Sequence, residues 1–587
     1  MPDMVVQSPR LDRDPEQPGT QRDTLNVTVA TTPCSRRTFL AHATALGLGS
    51  ALLGGHAAVA APRPRGGWQT RRTSAARFGT EGATLTVATN GSPSDLDPHS
   101  GYDYRSGLAI NAAYEGLIRL KDAKTDEYEG VLAESWESNE EKSVWTFRLR
   151  DGVTFHDGSP CDAEAVRASF ERLLTLGLGP VGILRRFVAD PAQITTPDAR
   201  TVVFDLGRPQ MFFEAAMASV YGVLVANPAV LKAHEEGGDW GHTWAMVNED
   251  GCGTGPYRIV DFEPGNQIVF ERYDGYWRGW QGAHFERIVI RAVAEFETRR
   301  QLIERGEADI IDQVLPQAIA DFRQNPDLHV NTGTSAEVDY FVMAIAGPLA
   351  SPVARQAMCW AFPYQEVIEG VYAGFGKQAA GAVAETLRGF APETPRYTTD
   401  LARARQLLDE AGIASGTTLT CAVETGDPFG QQAAQLFQAN LRELGISLNI
   451  EQIDATTLQG IFYGDAPPEE RPNFIRYGWW PDYNDAWNYL YPLMSCQSQG
   501  SAGANAGFYC NQRVEELLMQ ARDATSEATY QQALTEIQRI IALDDPPAVY
   551  YIQPQWLTVL RRDITGFVYN PIYLGLFDFW RMGRIAS

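Results

Sequence analysis

Thr418-Leu419-Thr420-Cys421-Ala422-Val423, then a stretch with Ala434, Phe437, Leu441 and Leu444, then Ile446-Ser447-Leu448-Asn449-Ile450, is the part of the chain that decides its fold. The outer runs read as strands. The apolar residues between them fall at helical spacing, and Gly445 stops the helix. Strand–helix–strand units of this size require parallel pairing with a crossover helix, so the fold class is α/β. Upstream, Leu401, Leu408 and Ala411 mark another helix face, with Gly412 as its C′ residue. Toward the N-terminus, Leu85-Thr86-Val87-Ala88 and Val144-Trp145-Thr146-Phe147-Arg148-Leu149 read as strands. Ser159-Pro160 is expected to open a helix as N-cap and first helical residue, with Val166, Phe170, Leu173 and Leu174 as its apolar stripe. Val549-Tyr550-Tyr551-Ile552 reads as a late strand.

The chain has 587 residues. Single cores stop growing at about 250–300 residues, so more than one lobe is expected. With 49 Lys and Arg against 73 Asp and Glu, the net charge of −24 disfavours nucleic acid or an anionic membrane as a partner. Seven cysteines are too few for a disulfide scaffold. Cys496 and Cys510 flank a Ser/Gly/Asn/Ala-rich stretch and read as a disulfide closing a short loop if the protein is exported; the alternative is two free surface thiols. Cys359 and Cys421 sit in apolar runs and are expected in the core.

Export is what the N-terminus predicts. Ser35-Arg36-Arg37-Thr38-Phe39-Leu40 precedes a weakly apolar Ala/Gly/Leu run ending in Ala58-Val59-Ala60, the pattern of a twin-arginine signal with a small-x-small cleavage site. Gly47, Gly49, Gly54, Gly55 and His56 make that run a poor membrane anchor. Residues 1–60 are therefore read as extension plus signal, residues 61–80 as a flexible spacer, and the mature protein as soluble outside the cytoplasmic membrane.

Catalytic signatures do not emerge. No G-x-S-x-G, S-x-x-K or H-E-x-x-H motif is present. Gly177-Leu178-Gly179-Pro180-Val181-Gly182 follows a helix and reads as a loop, and His156 reads as a turn residue before Asp157-Gly158. His234 and His242 lack zinc-site spacing. No catalytic residue, metal site or cofactor is expected. The aromatic-rich segment from Tyr477 to Tyr491 surrounds two carboxylates, Asp482 and Asp485. Aromatic platforms beside carboxylates suit an organic ligand with a cationic group. Trp487, Leu490 and Tyr491, at helical spacing, fit core packing instead, but an unpaired Asp482 is costly to bury.

Motifs in order along nearly the whole mature chain resemble family 5 extracellular solute-binding proteins, the peptide, oligopeptide and nickel receptors of ABC importers. They include Leu96-Asp97-Pro98, Tyr114-Glu115-Gly116-Leu117, Leu132-Ala133-Glu134-Ser135-Trp136, Phe147-Arg148-Leu149-Arg150-Asp151-Gly152-Val153-Thr154-Phe155-His156-Asp157-Gly158 and Gly253-Thr254-Gly255-Pro256-Tyr257. Val353-Ala354-Arg355-Gln356-Ala357-Met358, Ala404-Arg405-Gln406-Leu407-Leu408-Asp409-Glu410-Ala411-Gly412 and Phe508-Tyr509-Cys510-Asn511 follow. Pro363-Tyr364 and Cys161 depart from the family pattern near helix ends. The resemblance implies a two-lobed periplasmic-binding-protein-like (type II) α/β fold. Lobe one would span 81–332, with an extra subdomain at about 123–250; lobe two would span 333–547, and 548–587 would return to lobe one. It also implies a monomeric receptor that encloses a small peptide between its lobes and hands it to a permease with ATPase subunits. Asp482 resembles the Asp that holds the peptide's α-ammonium, with Trp479, Trp480, Tyr483, Asn484 and Asp485 around it; Arg355 is read as structural. A metal chelate, opine or oligosaccharide cargo is the alternative within the family, and a secreted enzyme a remote one.

Overall fold

The run that decides the fold class forms the units read from it. In the computed structural model, which describes residues 84–585, Thr418–Glu424 and Ser447–Ile453 pair in parallel, Thr418 against Ser447. The helix Pro428–Glu443 crosses between them, capped by Asp427, whose carboxylate accepts the Gly430 N–H at 2.8 Å. Ala434, Phe437 and Leu441 are buried under it. Gly445, at φ 80°, turns the chain into the next strand at a conformation other residues resist. The signal and spacer assigned to residues 1–80 lie outside the described residues. Among the described residues no helix is long and apolar enough to cross a membrane.

These strands end a twelve-stranded mixed sheet. From that end the order is Ser447–Ile453, Thr418–Glu424, Phe474–Trp479, Val338–Met343 and Ala548–Arg561. Ile310–Ile311, Thr84–Thr89, Arg287–Ala292, Gln267–Arg272 and Tyr257–Glu263 continue it. Ala548–Arg561 runs 14 residues, far beyond the four read as a strand. Its first half pairs with Val338–Met343 and its second with Leu328–Thr334, both antiparallel. The change of partner falls at Pro554, which has no N–H to offer a ladder. Side chains bridge the gap: Ser335 Oγ donates to Pro554 O at 2.6 Å, and Gln553 Nε2 donates to Ser335 O at 2.6 Å.

A separate antiparallel sheet, Ala133–Ser138, Val144–Leu149, Thr201–Asp205 and Ile194–Asp198, carries the helix Ala163–Leu176. Val166, Phe170, Leu173 and Leu174 are buried beneath it, as the stripe predicts. The helix starts at Ala163 rather than Pro160. Asp162 is the cap, accepting the Ala165 N–H at 3.0 Å. Pro160 is held extended in a bridge to Thr154, and the Ser159 hydroxyl is spent on Asp157.

Several motif residues prove structural. Asp97 is fully buried and receives Arg172 Nη1 at 2.8 Å and Nη2 at 2.6 Å. Burial opposes its charge, but Arg172 and His242 outweigh burial and hold the carboxyl well below the usual carboxylate range. His156 is more than a turn residue: buried, its Nδ1 lies 2.6 Å from Glu249 Oε1 and its Nε2 2.9 Å from Gly255 O. Arg355 is buried and donates to Leu349 O, Ala350 O and Pro546 O. Cys359 and Cys421 are in the core. The Sγ atoms of Cys496 and Cys510 stand 2.12 Å apart, with Cα atoms 4.8 Å apart. Arg172→Met strands the Asp97 carboxylate and is expected to cost about 3–5 kcal/mol of unfolding free energy in urea titrations. A loss on the scale of an exposed ion pair would show that solvent reaches Asp97.

Candidate functional site

Strand alternation divides the aromatic run. Phe474–Trp479 pairs with Val338–Met343, placing Gly478 opposite Asp339 and Arg476 opposite Phe341. Residues two apart share a face, so Arg476 and Gly478 lie on one side, and Tyr477 and Trp479 on the other. A cavity of about 290 Å³ opens on the first side. Its walls are Tyr104 and Tyr221 from the N-terminal part of the chain, Glu337, Asp339, Tyr372, Phe429, Arg476 and Trp480, and Pro554, Gln555, Trp556 and Leu557 of the long strand. It therefore sits where that strand changes partners.

The cavity is charged as well as aromatic. Arg476 Nη2 lies 3.0 Å from Asp339 Oδ2, and Arg476 Nε lies 3.4 Å from Asp427 Oδ2. The Tyr372 hydroxyl donates to Asp339 Oδ2 at 2.6 Å, while Asp339 Oδ1 has no partner. Burial raises the Asp339 carboxyl against the pull of Arg476. Burial and then the Asp339 charge push Glu337 up to about 8. Tyr104 donates to the buried Asp312.

Of the residues singled out in the sequence, Trp480 lines this cavity, with 39% of its surface exposed. Asp482 is buried just behind the wall. It accepts the Tyr102 hydroxyl on Oδ1 and Asn488 Nδ2 on Oδ2 at 2.7 Å. The Tyr102 ring meets that of Tyr221 at 5.3 Å, edge to face. Burial raises the Asp482 carboxyl, and these two hydrogen bonds offset it only in part. Trp479 lies on the opposite face of its strand and is half-buried. Tyr483 is buried and stacks on Phe212, centroids 6.3 Å apart. The Asn484 amide donates to Thr125 O, and its Oδ1 accepts the Arg388 N–H at 3.1 Å. Asp485 has no exposed surface; it receives Arg388 Nη1 at 2.9 Å, the Trp487 N–H at 2.8 Å and the Tyr530 hydroxyl. Burial pushes it up to about 6 despite Arg388. Tyr483, Asn484 and Asp485 thus brace the packing behind the wall, and of the residues singled out only Trp480 lines the cavity.

Sequence reasoning missed Glu337, Asp339 and Arg476, which come together only through strand pairing. A signal existed. Val338-Asp339-Tyr340-Phe341-Val342-Met343 and Phe474-Ile475-Arg476 each set a charge inside an apolar strand, where an unpaired charge is expensive. Asp485→Ala would leave Tyr530 without its acceptor and Arg388 with Glu527 and Met211 O alone. It is expected to lower stability by about 2 kcal/mol or more in denaturant titrations; unchanged stability would mean that the carboxylate does not brace this packing.

Against known proteins, the family model described as "Bacterial extracellular solute-binding proteins, family 5 Middle" matches residues 127–501. The curated "Probable D,D-dipeptide-binding periplasmic protein DdpA" of Escherichia coli is 29% identical over 509 residues, covering 85% of this chain and 94% of that protein. The periplasmic binding protein DppA of Helicobacter pylori, solved with the peptide STSA, superposes with a TM-score of 0.75 at 22% identity, covering 85% of this chain and 98% of that one. NikZ of Campylobacter jejuni, solved with Ni(L-His), superposes at 0.75 with 16% identity, covering 86% and 100%. The mixed α/β fold is that of two-lobed periplasmic binding proteins.

Proposed function

Because the chain belongs to the bacterial extracellular solute-binding proteins of family 5, we propose that it is the extracytoplasmic receptor of an ABC importer for a di- or oligopeptide. The observation that carries this reading is the aromatic, carboxylate-bearing cavity at the junction of the two parts of the sheet. The cargo named for the Escherichia coli and Helicobacter pylori relatives agrees with it.

We assign lobe one to residues 81–332 with 553–587, its extra subdomain to about 123–250, and lobe two to about 339–547, with crossings near 332–338 and 548–556. The hinge then lies at 335–337 and 553–555, where Ser335 and Gln553 tie the crossings together. A ligand touching both lobes stabilises the closed form, and no chemistry on it is needed. Asp482 takes the peptide's α-ammonium and Trp480 covers the chain. Among the described residues this buried carboxylate is hydrogen-bonded only by neutral groups and feels Arg186 without an ion-pair contact, so the ammonium supplies a direct counter-charge. Asp482→Ala is expected to weaken peptides with a free N-terminus about tenfold or more, the scale of a charge-assisted hydrogen bond. Calorimetry with free and N-acetylated peptides measures this; equal affinities for the two in the wild type would sink the ammonium role.

Export through Arg36-Arg37, release from the signal and a Cys496–Cys510 disulfide complete the reading, with the monomer delivering cargo to its permease. The double variant Arg36→Lys, Arg37→Lys should stay in the cytoplasm by fractionation. A non-reducing peptide map of the exported wild type should link Cys496 to Cys510; free thiols there would remove the disulfide.

A further inference from the structure

The strand Val338–Met343 and the residues just before it bring two carboxylates to one wall of the cavity. Glu337 and Asp339 are two apart on an extended chain, so they face the same way. Residue 478, directly opposite Asp339, is a glycine. A methyl group there would stand 2.6 Å from Asp339 Oδ1 and 2.9 Å from Glu337 Oε1, so the absence of a side chain is what lets both oxygens converge. Asp339 is 3% exposed, and its Oδ1 has no partner beyond the Glu337 carboxyl, which can give it a hydrogen bond only while that pair holds a proton. The nearby cation, Arg476, is committed to Asp339 Oδ2 and Asp427. Among the described residues no Lys or Arg pairs with Glu337, so carboxylates outnumber cations at this wall. Trp480, Tyr104 and Trp556 supply aromatic surface around it, the last two in edge contact at 5.2 Å.

We propose that Glu337 and Asp339 form a second cation subsite, which selects ligands bearing an alkylammonium or guanidinium group besides the α-ammonium. The assignment rests on the receptor reading above. Two converging carboxylate oxygens accept two of the three donors of an ammonium or the fork of a guanidinium, and the aromatic rims add cation–π attraction while excluding water. The subsite begins two residues after Ser335, whose Oγ accepts the Glu337 N–H at 3.2 Å, so occupancy bears directly on the crossing point. Facing Glu337 are Asp339, Arg476, Asp427, Tyr489 and Tyr569, with Tyr372 on Asp339. Because burial and the Asp339 charge raise the Glu337 carboxyl, the pair holds a proton more readily than free carboxylates, and a bound cation should expel it. Affinity for basic ligands then rises with pH.

The test is calorimetry on the mature protein with Ala-Lys, Ala-norleucine and pentane-1,5-diamine. Wild type is expected to bind Ala-Lys about tenfold or more tighter than Ala-norleucine, the scale of a charge-assisted contact. Proton release at pH 7, read from buffers of different ionisation enthalpy, should accompany Ala-Lys and the diamine but not Ala-norleucine. Glu337→Gln should erase the preference with the melting transition near wild type; Asp339→Asn, which also takes the carboxylate from Arg476, should erase it with a lowered melting transition. Equal affinities of wild type for the two dipeptides overturn the subsite and leave the receptor reading standing. Equal weakening of both dipeptides by Glu337→Gln makes the cluster the α-ammonium site and also overturns it. Binding of the diamine alone, lost in Glu337→Gln, keeps the subsite and removes the peptide reading. Silence from all three probes removes both.

Discussion

One strand serving two parts of a sheet is the constraint on which the rest of this molecule depends. Ala548–Arg561 pairs on one half with Val338–Met343 and on the other with Leu328–Thr334. A proline at the changeover interrupts the ladder, and buried backbone groups must find partners elsewhere. Ser335 and Gln553 provide them from their side chains. The cavity walls radiate from this clasp: Glu337 and Asp339 follow it on one strand, and Gln555, Trp556 and Leu557 on the other. A ligand in the cavity therefore touches the segments that any movement between the two parts of the sheet must bend.

Buried carboxylates sort into two kinds by what answers their charge. Asp97 has both oxygens on Arg172, and Asp485 has Arg388 together with a hydroxyl and a backbone amide. These pairs close in on themselves and lock neighbouring elements. Asp482 has only neutral donors, Asp339 keeps one oxygen unpartnered, and Glu337 has no cation within ion-pair reach among the described residues. Burial raises all three. A carboxylate left short of compensation beside a cavity is where a cationic ligand gains most, since it supplies the missing charge in a setting with little water.

The elements with strong local signals were legible. The Thr418 to Ile450 run announced strand, helix and strand through its periodicity and Gly445, and the stripe of Val166, Phe170, Leu173 and Leu174 named the buried face of its helix. Local signals also misled. Ser159-Pro160 has cap chemistry, but Asp162 reaches the N3 amide and wins. The late strand read over Val549 to Ile552 continues past Pro554, because pairing on both sides carries it through. Within the candidate site, the aromatic segment drew attention to Trp480 and Asp482, yet the same segment offered Tyr483, Asn484 and Asp485, which the fold turns into packing.

The sequence by itself determined the α/β class, the order of the family motifs and the presence of a carboxylate that packing alone does not explain, because periodicity, turn chemistry and the cost of burying charge act over a few residues. Which carboxylates share a wall was decided only by tertiary structure. Glu337 and Asp339 meet the space over Gly478, and Arg476 reaches Asp339, through strand register between segments more than a hundred residues apart. Register is set by the whole sheet and not by neighbours in the chain.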